Sequence, residues 1–205
     1  MNHKKNKLEV EKSRRNLLAA AGAGLAMMTT GSLLSAKSAQ GDNILSNRKI
    51  LTVYYSRSNN TRSLANSIHT HIGGDIEEIL PIPAYSDNYD LAVNEVRLEL
   101  LTGSRRQIEP LRNNISLYDT IFIGSPRWWG TLSVPVINFL LNNDLQGKTL
   151  LPFNTHAGGE REKTFDDLKL LCPHSTITEG LSVDSSDLSN AQNIISAWLQ
   201  RSEIL

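Results

Sequence analysis

Two patterns of apolar and polar positions alternate along most of the chain. Short runs rich in β-branched and aromatic residues, such as residues 49–55 (KILTVYY), are typical of buried strands. The stretches between them place apolar residues three or four positions apart, as in Leu64, Ile68 and Ile72, which predicts amphipathic helices. The patterns predict strands over residues 49–55, 76–82, 120–124, 149–153 and 175–181, and helices over residues 61–72, 87–101, 134–141, 165–171 and 188–201.

This alternation predicts the fold class. Strands that alternate with helices five times favour right-handed βαβ crossovers. We therefore expect a three-layer α/β fold, with a five-stranded parallel sheet and helices on both faces. The second helix is expected to place Tyr89, Val93, Val96 and Leu100 on one apolar face. Ligands of such sheets bind at the carboxyl ends of the strands, so the loops after the first, third and fourth strands are where chemistry is expected.

The first 38 residues differ from the rest of the chain. They hold seven of the 21 basic residues but two of the 21 acidic ones. Residues 13–18 (SRRNLL) resemble the twin-arginine export signature, and a moderately apolar run rich in Ala and Gly follows. We expect residues 1–38 to be a twin-arginine signal peptide, residues 39–48 a linker, and residues 49–205 one domain.

An uncleaved membrane anchor is the alternative for the same segment. Residues 17–36 are nearly long enough to span a bilayer, which takes roughly 20 apolar residues. Polar and small residues near Thr29 dilute the run, which favours a cleaved signal and export to the periplasm.

The charge of the remaining chain limits its partners. From Ala39 onward it carries 14 basic and 19 acidic residues, a formal charge of −5. An acidic domain argues against nucleic acid and anionic membranes as partners. Cys172 is the one cysteine, so an internal disulfide is excluded, and a small buried side chain is the simplest interpretation. A chain without disulfides suits folding in the cytoplasm before export.

Loop one, residues 56–61 (SRSNNT), joins the first predicted strand to a helix. A helix N-terminus presents free N–H donors and a partial positive charge, and both suit a phosphate. Hydroxyl and amide side chains can add hydrogen bonds, although the same residue types also serve as simple helix caps. The loop lacks the nucleoside-triphosphate motif and has no cysteine for thiolate chemistry. The candidate phosphate ligands are Ser56, Ser58, Asn59, Asn60 and Thr61.

Loop two, residues 124–131 (GSPRWWGT), contains two adjacent tryptophans between a proline and a glycine. Both rings cannot easily enter one core from a loop, and a planar aromatic ligand would give at least one of them a partner. The alternative is an aromatic surface that closes over the sheet edge.

Loop three, residues 154–159 (NTHAGG), follows the fourth predicted strand. Its small residues allow the backbone to approach a ligand closely. His156 is a candidate for a bond to a ring oxygen or a phosphate, or else a structural histidine.

The three loops also carry a family resemblance. Residues 49–61 (KILTVYYSRSNNT), 118–140 (YDTIFIGSPRWWGTLSVPVINFL) and 150–159 (LLPFNTHAGG) resemble the FMN-contacting segments of flavodoxin-like proteins. The resemblance implies that loop one holds the FMN phosphate and that Tyr85 helps to close the site. It further implies that the isoalloxazine ring is lined by residues of loops two and three, namely Pro126, Arg127, Trp128, Trp129, Gly130, Thr155, His156, Ala157 and Gly158.

Three positions depart from the pattern of that family. Asn59 stands where many flavodoxins have glycine, and Asn154 replaces a small or thiol residue. Arg127 would place a cation near the reduced flavin, which stabilises its anionic form and raises the potential. That effect argues against a low-potential electron donor, unless the Arg127 side chain simply lies in solvent.

The sequence thus predicts an exported flavoprotein that uses FMN for electron transfer or reduction of a small acceptor. It implies a redox partner protein or a small-molecule acceptor, besides the twin-arginine export machinery. The alternatives are an FMN reductase of quinone, azo or nitro compounds that takes electrons from NAD(P)H or quinol, and a flavodoxin-shaped binding module without FMN. No catalytic acid or base and no metal site is predicted, and Arg105 and Arg106 are assigned no function.

Overall fold

A computed structural model describes residues 48–158 and 164–202. The predicted signal peptide and all of the predicted linker except its last residue lie outside the described residues. In chain order the strands are β1 (Ile50–Tyr54), β2 (Asp75–Glu78), β3 (Pro81–Ile82), β4 (Gln107–Ile108), β5 (Thr120–Pro126), β6 (Thr149–His156), β7 (Thr176–Ile177) and β8 (Leu181–Asp184).

The central sheet is parallel throughout. Its order is β2-β1-β5-β6-β7, and β8 also pairs with β6, beyond the end of β7. The sheet therefore has five strand positions, the last of which is shared by two short strands. The predicted α/β class and five-position parallel sheet are confirmed. The helices are α1 (Asn60–Ile72), α2 (Tyr89–Thr102), α3 (Val134–Asn142), α4 (Thr164–Leu171) and α5 (Ala191–Arg201).

The two faces of the sheet carry separate apolar cores. Leu51 and Val53 of β1 pack on one face with residues of α2, α3 and α4. Ile50 and Tyr54 point to the other face, where they join residues of α1 and α5. This period-2 alternation along a strand buried on both sides is what a three-layer α/β fold requires.

The second predicted strand is shorter than expected. It was predicted to reach Ile82, but β2 ends at Glu78. Pro81 has no backbone N–H to continue the ladder. The chain instead leaves the sheet, and residues 81–82 form a small antiparallel pair with Gln107–Ile108.

The last predicted strand is interrupted. It was predicted as continuous over residues 175–181, but residues 178–180 separate β7 from β8, and β8 runs on to Asp184. A Cβ on Gly180 would overlap the ring of Phe165, so the backbone lies against that ring. The Glu179 carbonyl accepts a 2.7 Å hydrogen bond from the Trp198 indole N–H. The break therefore brings the strand backbone into contact with α4 and α5.

Two helix predictions also need correction. The C-terminal helix begins at Ala191 rather than Leu188, because a 3₁₀ helix capped by Asp184 occupies residues 185–190. In α2 the predicted apolar face is wrong at Tyr89, which is 70% exposed. The buried face is formed by Ala92, Val96 and Leu100, together with one acidic residue, Glu99.

A charged network holds the Glu99 carboxylate. Arg106 Nε donates to Glu99 Oε1 and its Nη2 donates to Glu95 Oε2, both at 2.6 Å. The side chains of Arg106 and Glu99 are 11% and 10% exposed. Arg106, to which the sequence assigned no function, therefore fastens α2 to the chain before β4. Within the described residues, no helix is both long and apolar enough to cross a membrane.

Replacing Arg106 by methionine tests this network. The variant keeps an unbranched side chain that can replace the aliphatic part of arginine but leaves Glu99 buried without its cation, so we expect a loss of about 3 kcal/mol in unfolding free energy. The matched control is Arg201→Met, whose partner Glu179 is exposed, and it should cost less than about 1 kcal/mol. Urea denaturation followed by circular dichroism measures both, and equal losses would contradict the assigned role.

Candidate functional site

The three loops meet at the carboxyl edge of the sheet. The ladder between β5 and β6 continues as far as the pair Pro126–Thr155, beyond the predicted strand ends at Gly124 and Phe153. Arg127 N donates to the Thr155 carbonyl at 2.9 Å, which ties loop two to loop three. The Oγ1 atoms of Thr61 and Thr155 share a 2.8 Å hydrogen bond, which ties loop one to loop three.

Loop one enters α1 through a left-handed residue. Asn59, the N-cap of α1, has φ of 66°, a conformation that glycine adopts most easily and asparagine tolerates. This explains how asparagine can replace the glycine of the family pattern. The Asn59 side chain does not cap the helix, because its Oδ1 accepts from Arg62, and Arg62 also donates from Nε and Nη2 to Glu78. Simple helix capping by Asn59 is therefore not what this loop does.

One hydroxyl of loop one is buried without a partner. Ser56 is 8% exposed, and its Oγ makes no hydrogen bond. Buried polar groups are nearly always paired, so an unpaired hydroxyl in the loop that leads into α1 is available to a ligand oxygen. Ser58 and Asn59 are exposed and Asn60 is half-buried beside it. The donor set of loop one thus fits a phosphate group.

Loop two forms a tight turn at its two tryptophans. Trp128 and Thr131 exchange backbone hydrogen bonds of 3.1 and 2.9 Å across Trp129 and Gly130. Both central residues have positive φ, 53° at Trp129 and 79° at Gly130, as in a type I′ turn. A bulky residue rarely adopts this conformation. The turn is anchored to α4 by Thr131 Oγ1, which donates to the buried Asp167 carboxylate at 2.5 Å.

Trp128 packs on two buried tyrosines. Its ring meets those of Tyr55 and Tyr85 edge-on, at centroid distances of 5.4 and 5.1 Å. The Tyr85 hydroxyl donates to Glu99 at 2.5 Å, and the Arg106 guanidinium lies 3.8 Å from the centre of the Tyr85 ring. Burial and the Glu99 carboxylate both raise the pKa of Tyr85, so its hydroxyl stays protonated. The charged network of α2 therefore fixes the ring on which Trp128 rests.

Loop three carries a histidine with an acidic neighbour. His156 Nδ1 lies 3.3 Å from Asp184 Oδ2 at the end of β8. Burial, and next the nearby Arg127, lower the pKa of His156, while Asp184 opposes them. Hydrogen bonds from the backbone and hydroxyl of Ser186, and from Gly158 N, lower the pKa of Asp184 to about 2. His156 is thus held neutral near pH 7 beside an ionised carboxylate.

The structure brings the three predicted loops together at one edge of the sheet, and the residues of loops two and three differ in their exposure. Thr155 is buried, His156 and Pro126 are half-buried, and Ala157 and Gly158 are exposed at the rim. The Arg127 guanidinium donates to the Gly158 carbonyl, so it bridges loops two and three rather than lying free in solvent. Asn154 is buried and accepts from Ser182 Oγ at 2.8 Å, so it serves the sheet.

Sequence reasoning missed several residues that support these loops. They are Tyr55, Arg62, Glu78, Glu99, Arg106, Asp167 and Asp184. Most are charged residues whose partners lie far away along the chain, and a local pattern does not reveal such pairs. Tyr55 alone had a local signal, because it ends an apolar strand immediately before loop one.

A cleft of about 390 Å³ lies between α2 and loop two. We call it the α2 cleft. It is lined by two arginines, three aromatic residues and three aliphatic residues of α2, namely Arg57, Arg127, Tyr89, Trp128, Trp129, Ala92, Val93 and Val96.

A larger cavity of about 570 Å³ lies elsewhere, beside β4 and the end of α3. The amide side chains around it are engaged in local hydrogen bonds, as Asn142 is with Asn138 and Asn114 with Ser116. It contains none of the residues that the sequence predicted for the site.

Comparison with known proteins identifies the family. A family model described as flavodoxin matches residues 49–202, three quarters of the chain. The chain belongs to the flavodoxin family. A search of curated proteins gives no match.

Solved structures of similar proteins agree with this assignment. A candidate flavoprotein from Bacteroides eggerthii DSM 20697 is 27% identical over 73% of this flavodoxin and 99% of its own chain, with a TM-score of 0.61. Another from Bacteroides uniformis ATCC 8492 is 25% identical over 73% and 98%, with a TM-score of 0.64. A flavoprotein from Lactobacillus acidophilus NCFM, crystallised with FMN, shares the fold at 22% identity, covering 70% and 97%, with a TM-score of 0.53. Together with the family, these neighbours point to a flavin cofactor.

The electrostatics of loop three can be tested by NMR titration of His156. We expect a pKa below the usual value of about 6.5 for histidine. Arg127→Gln should raise this pKa because it removes a neighbouring positive charge, and Asp184→Asn should lower it further because it removes a negative one. A His156 pKa that neither substitution moves would contradict the arrangement of loop three.

Proposed function

We propose that this flavodoxin binds FMN and acts outside the cytoplasm, in electron transfer or in the reduction of a small acceptor. The observation that carries the proposal is the buried Ser56 hydroxyl, which has no partner and lies at the start of loop one, the loop that leads into α1. A phosphate oxygen is a suitable partner, since the first N–H groups of a helix and its dipole both favour an anion.

Loop one would hold the phosphate of FMN. Ser56 and Thr61 contribute buried hydroxyls, and Ser58 and Asn60 offer further polar groups around the helix end. Arg62, linked to Glu78 and Asn59, would keep the left-handed entry to the helix in place before a ligand arrives. Such preorganisation favours binding because less conformational entropy is lost.

Loops two and three would hold the isoalloxazine ring. The left-handed backbone at Trp129 costs of order 1–3 kcal/mol, and strain of this kind is retained mostly at functional sites. When bound, FMN supplies one- and two-electron redox chemistry, while the protein positions the ring and sets its potential. Arg127 adds positive charge to this region and His156 adds none near neutral pH, which supports a potential above that of a low-potential donor.

An electron carrier and a reductase differ in their electron donor and acceptor. A carrier would serve a redox partner protein, whereas a reductase would turn over NAD(P)H or quinol with quinone, azo or nitro compounds. The α2 cleft favours the reductase, since a concave and largely apolar site beside the predicted ring suits a small molecule. In a binding module without FMN, the buried Ser56 hydroxyl would have no hydrogen-bond partner, and the strain at Trp129 would serve no ligand contact.

Export by the twin-arginine route completes the proposal. It rests on residues 13–18 (SRRNLL) and on the apolar run that follows them. A cofactor bound without a covalent link has to be loaded before export, and the twin-arginine route carries folded proteins. The double variant Arg14→Lys with Arg15→Lys should keep the chain in the cytoplasm, as cell fractionation would show. Normal delivery of the double variant to the periplasm would exclude this route.

Replacing both tryptophans of loop two tests the ring site. Trp128→Ala with Trp129→Ala removes both aromatic faces, so the dissociation constant for FMN should rise about tenfold or more. Titration of flavin fluorescence measures it. The control is Leu170→Ala, an exposed apolar residue of α4, which should leave the constant unchanged. Unchanged binding in the tryptophan variant would remove these residues from the site.

A further inference from the structure

We propose that the α2 cleft binds a planar aromatic anion, a quinone of two or three fused rings that carries a carboxylate or sulfonate, as the small acceptor of this flavodoxin. The quinone would accept two electrons and two protons and become the hydroquinone, and reduced FMN would supply both on returning to its oxidised form. The proposal rests on the proposed function, because it assigns the cleft to the acceptor that a bound FMN would reduce. Ligand binding at the α2 cleft can be measured on the protein with or without FMN.

The walls of the cleft suit a flat apolar ligand. Ala92, Val93 and Val96 form an aliphatic side, and Trp128 and Trp129 of loop two form an aromatic one. Its volume of about 390 Å³ lies within the range of about 300–1,000 Å³ that is usual for small-molecule sites. An aromatic ligand there could stack on a ring on one side and contact methyl groups on the other.

The charge of the cleft selects an anion. Arg57 Nη2 donates to the carbonyls of Ser86 and Asp87, at 3.0 and 2.9 Å, and the guanidinium lies 5.8 Å from the centre of the Tyr89 ring. These contacts fix the cation but do not neutralise it, because carbonyls and an aromatic ring carry no formal charge. In residues 48–158 and 164–202, no carboxylate forms an ion pair with Arg57.

Arg57 is the cation that an anion in the cleft would contact. Arg127 also lines the cleft, but its guanidinium donates to the Gly158 carbonyl of loop three. A carboxylate or sulfonate beside the Arg57 guanidinium would gain charge-assisted hydrogen bonds. A neutral ring of the same shape would gain only the apolar contacts.

The cleft overlaps the predicted flavin site at loop two alone, through Arg127, Trp128 and Trp129. Residues 154–158, the described part of loop three, do not line it, and Ser56 and Thr61 do not either. Loop two is shared, so a ligand in the cleft and a flavin between loops two and three would contact the same tryptophan turn. This is the arrangement that electron transfer over a short distance needs.

Binding of a matched pair of probes tests the proposal. Naphthalene-2-sulfonate is an anion, and naphthalene-2-sulfonamide is its neutral counterpart of nearly equal shape. Calorimetric titration of the FMN-loaded protein should show that the sulfonate binds at least about fivefold more tightly, because it alone pairs with the Arg57 guanidinium. The chain has three tryptophans, so indole N–H signals report the location. Those of Trp128 and Trp129 should shift, while that of the fully buried Trp198 should not.

Two substitutions separate charge from fold. Arg57→Gln keeps a donor for the neighbouring carbonyls but removes the charge, so it should weaken the sulfonate about fivefold and leave the sulfonamide unchanged. Val93→Glu places a carboxylate on the half-buried wall of α2 and should weaken the sulfonate still more. Lys169→Gln removes a distant, exposed positive charge on α4 and serves as the matched control, with no effect on either probe.

Three results would overturn the proposal. They are equal affinity for the two probes, sulfonate binding that Val93→Glu leaves intact, and release of FMN when the sulfonate binds, which would make the cleft part of the flavin site. If the protein takes up no FMN, the proposed function fails separately. The same titrations on the cofactor-free protein then still decide whether the cleft selects an aromatic anion.

Discussion

The ladder between β5 and β6 is the constraint on which the site depends. It runs for seven residue pairs, from Thr120–Thr149 to Pro126–Thr155, and so continues past the strand ends that the sequence predicted at Gly124 and Phe153. At its end, Thr155 accepts from Arg127 N through its carbonyl and shares a hydrogen bond with Thr61 through its hydroxyl. One residue at the carboxyl edge therefore fixes the relative positions of three loops that are far apart in sequence.

Rigid support lets the loops adopt conformations that are costly by themselves. The left-handed Trp129 and Asn59 each lie in a region that side chains disfavour. Thr131 and Asp167 hold the tryptophan turn from inside, and Arg62 holds Asn59. Trp128 packs on Tyr85, whose hydroxyl is held by Glu99, and Glu99 in turn pairs with Arg106. The contact between Thr131 and Asp167 is buried, whereas Arg62 is half-buried and Asn59 is exposed. Both strained residues lie in loops of the candidate site, where such strain is usually retained.

The fold could be predicted well from the sequence, because strands and helices are signalled by patterns among neighbouring residues. Apolar runs and helical spacing depend on neighbouring residues, so the strands and helices were found nearly in full. The loops of the site were found for the same reason, since they follow strand ends in a parallel sheet. The end of β2 was missed, although Pro81 was a readable signal for it. The interruption near Gly180 had no such signal, because Phe165 and Trp198 cause it from other elements.

The site could be predicted in its ligand-facing residues but not in those that support them. Arg106 stands in a loop beside another arginine, and its role arises from a glutamate on the buried face of α2. Asp184 meets His156 because β8 pairs with β6, a pairing that the sequence predicted only in part. The second contact depends on strand order and register, and the first depends on how the chain turns back after α2. Local patterns specify neither.

The most direct test compares the affinities of the purified protein for FMN and riboflavin by flavin fluorescence titration. The two ligands share the isoalloxazine ring and differ in the phosphate that loop one is proposed to hold. FMN should bind at least about tenfold more tightly, through the N-terminus of α1 and the hydroxyls of Ser56 and Thr61. Equal affinities would contradict the phosphate site, and no binding of either flavin would contradict the account as a whole.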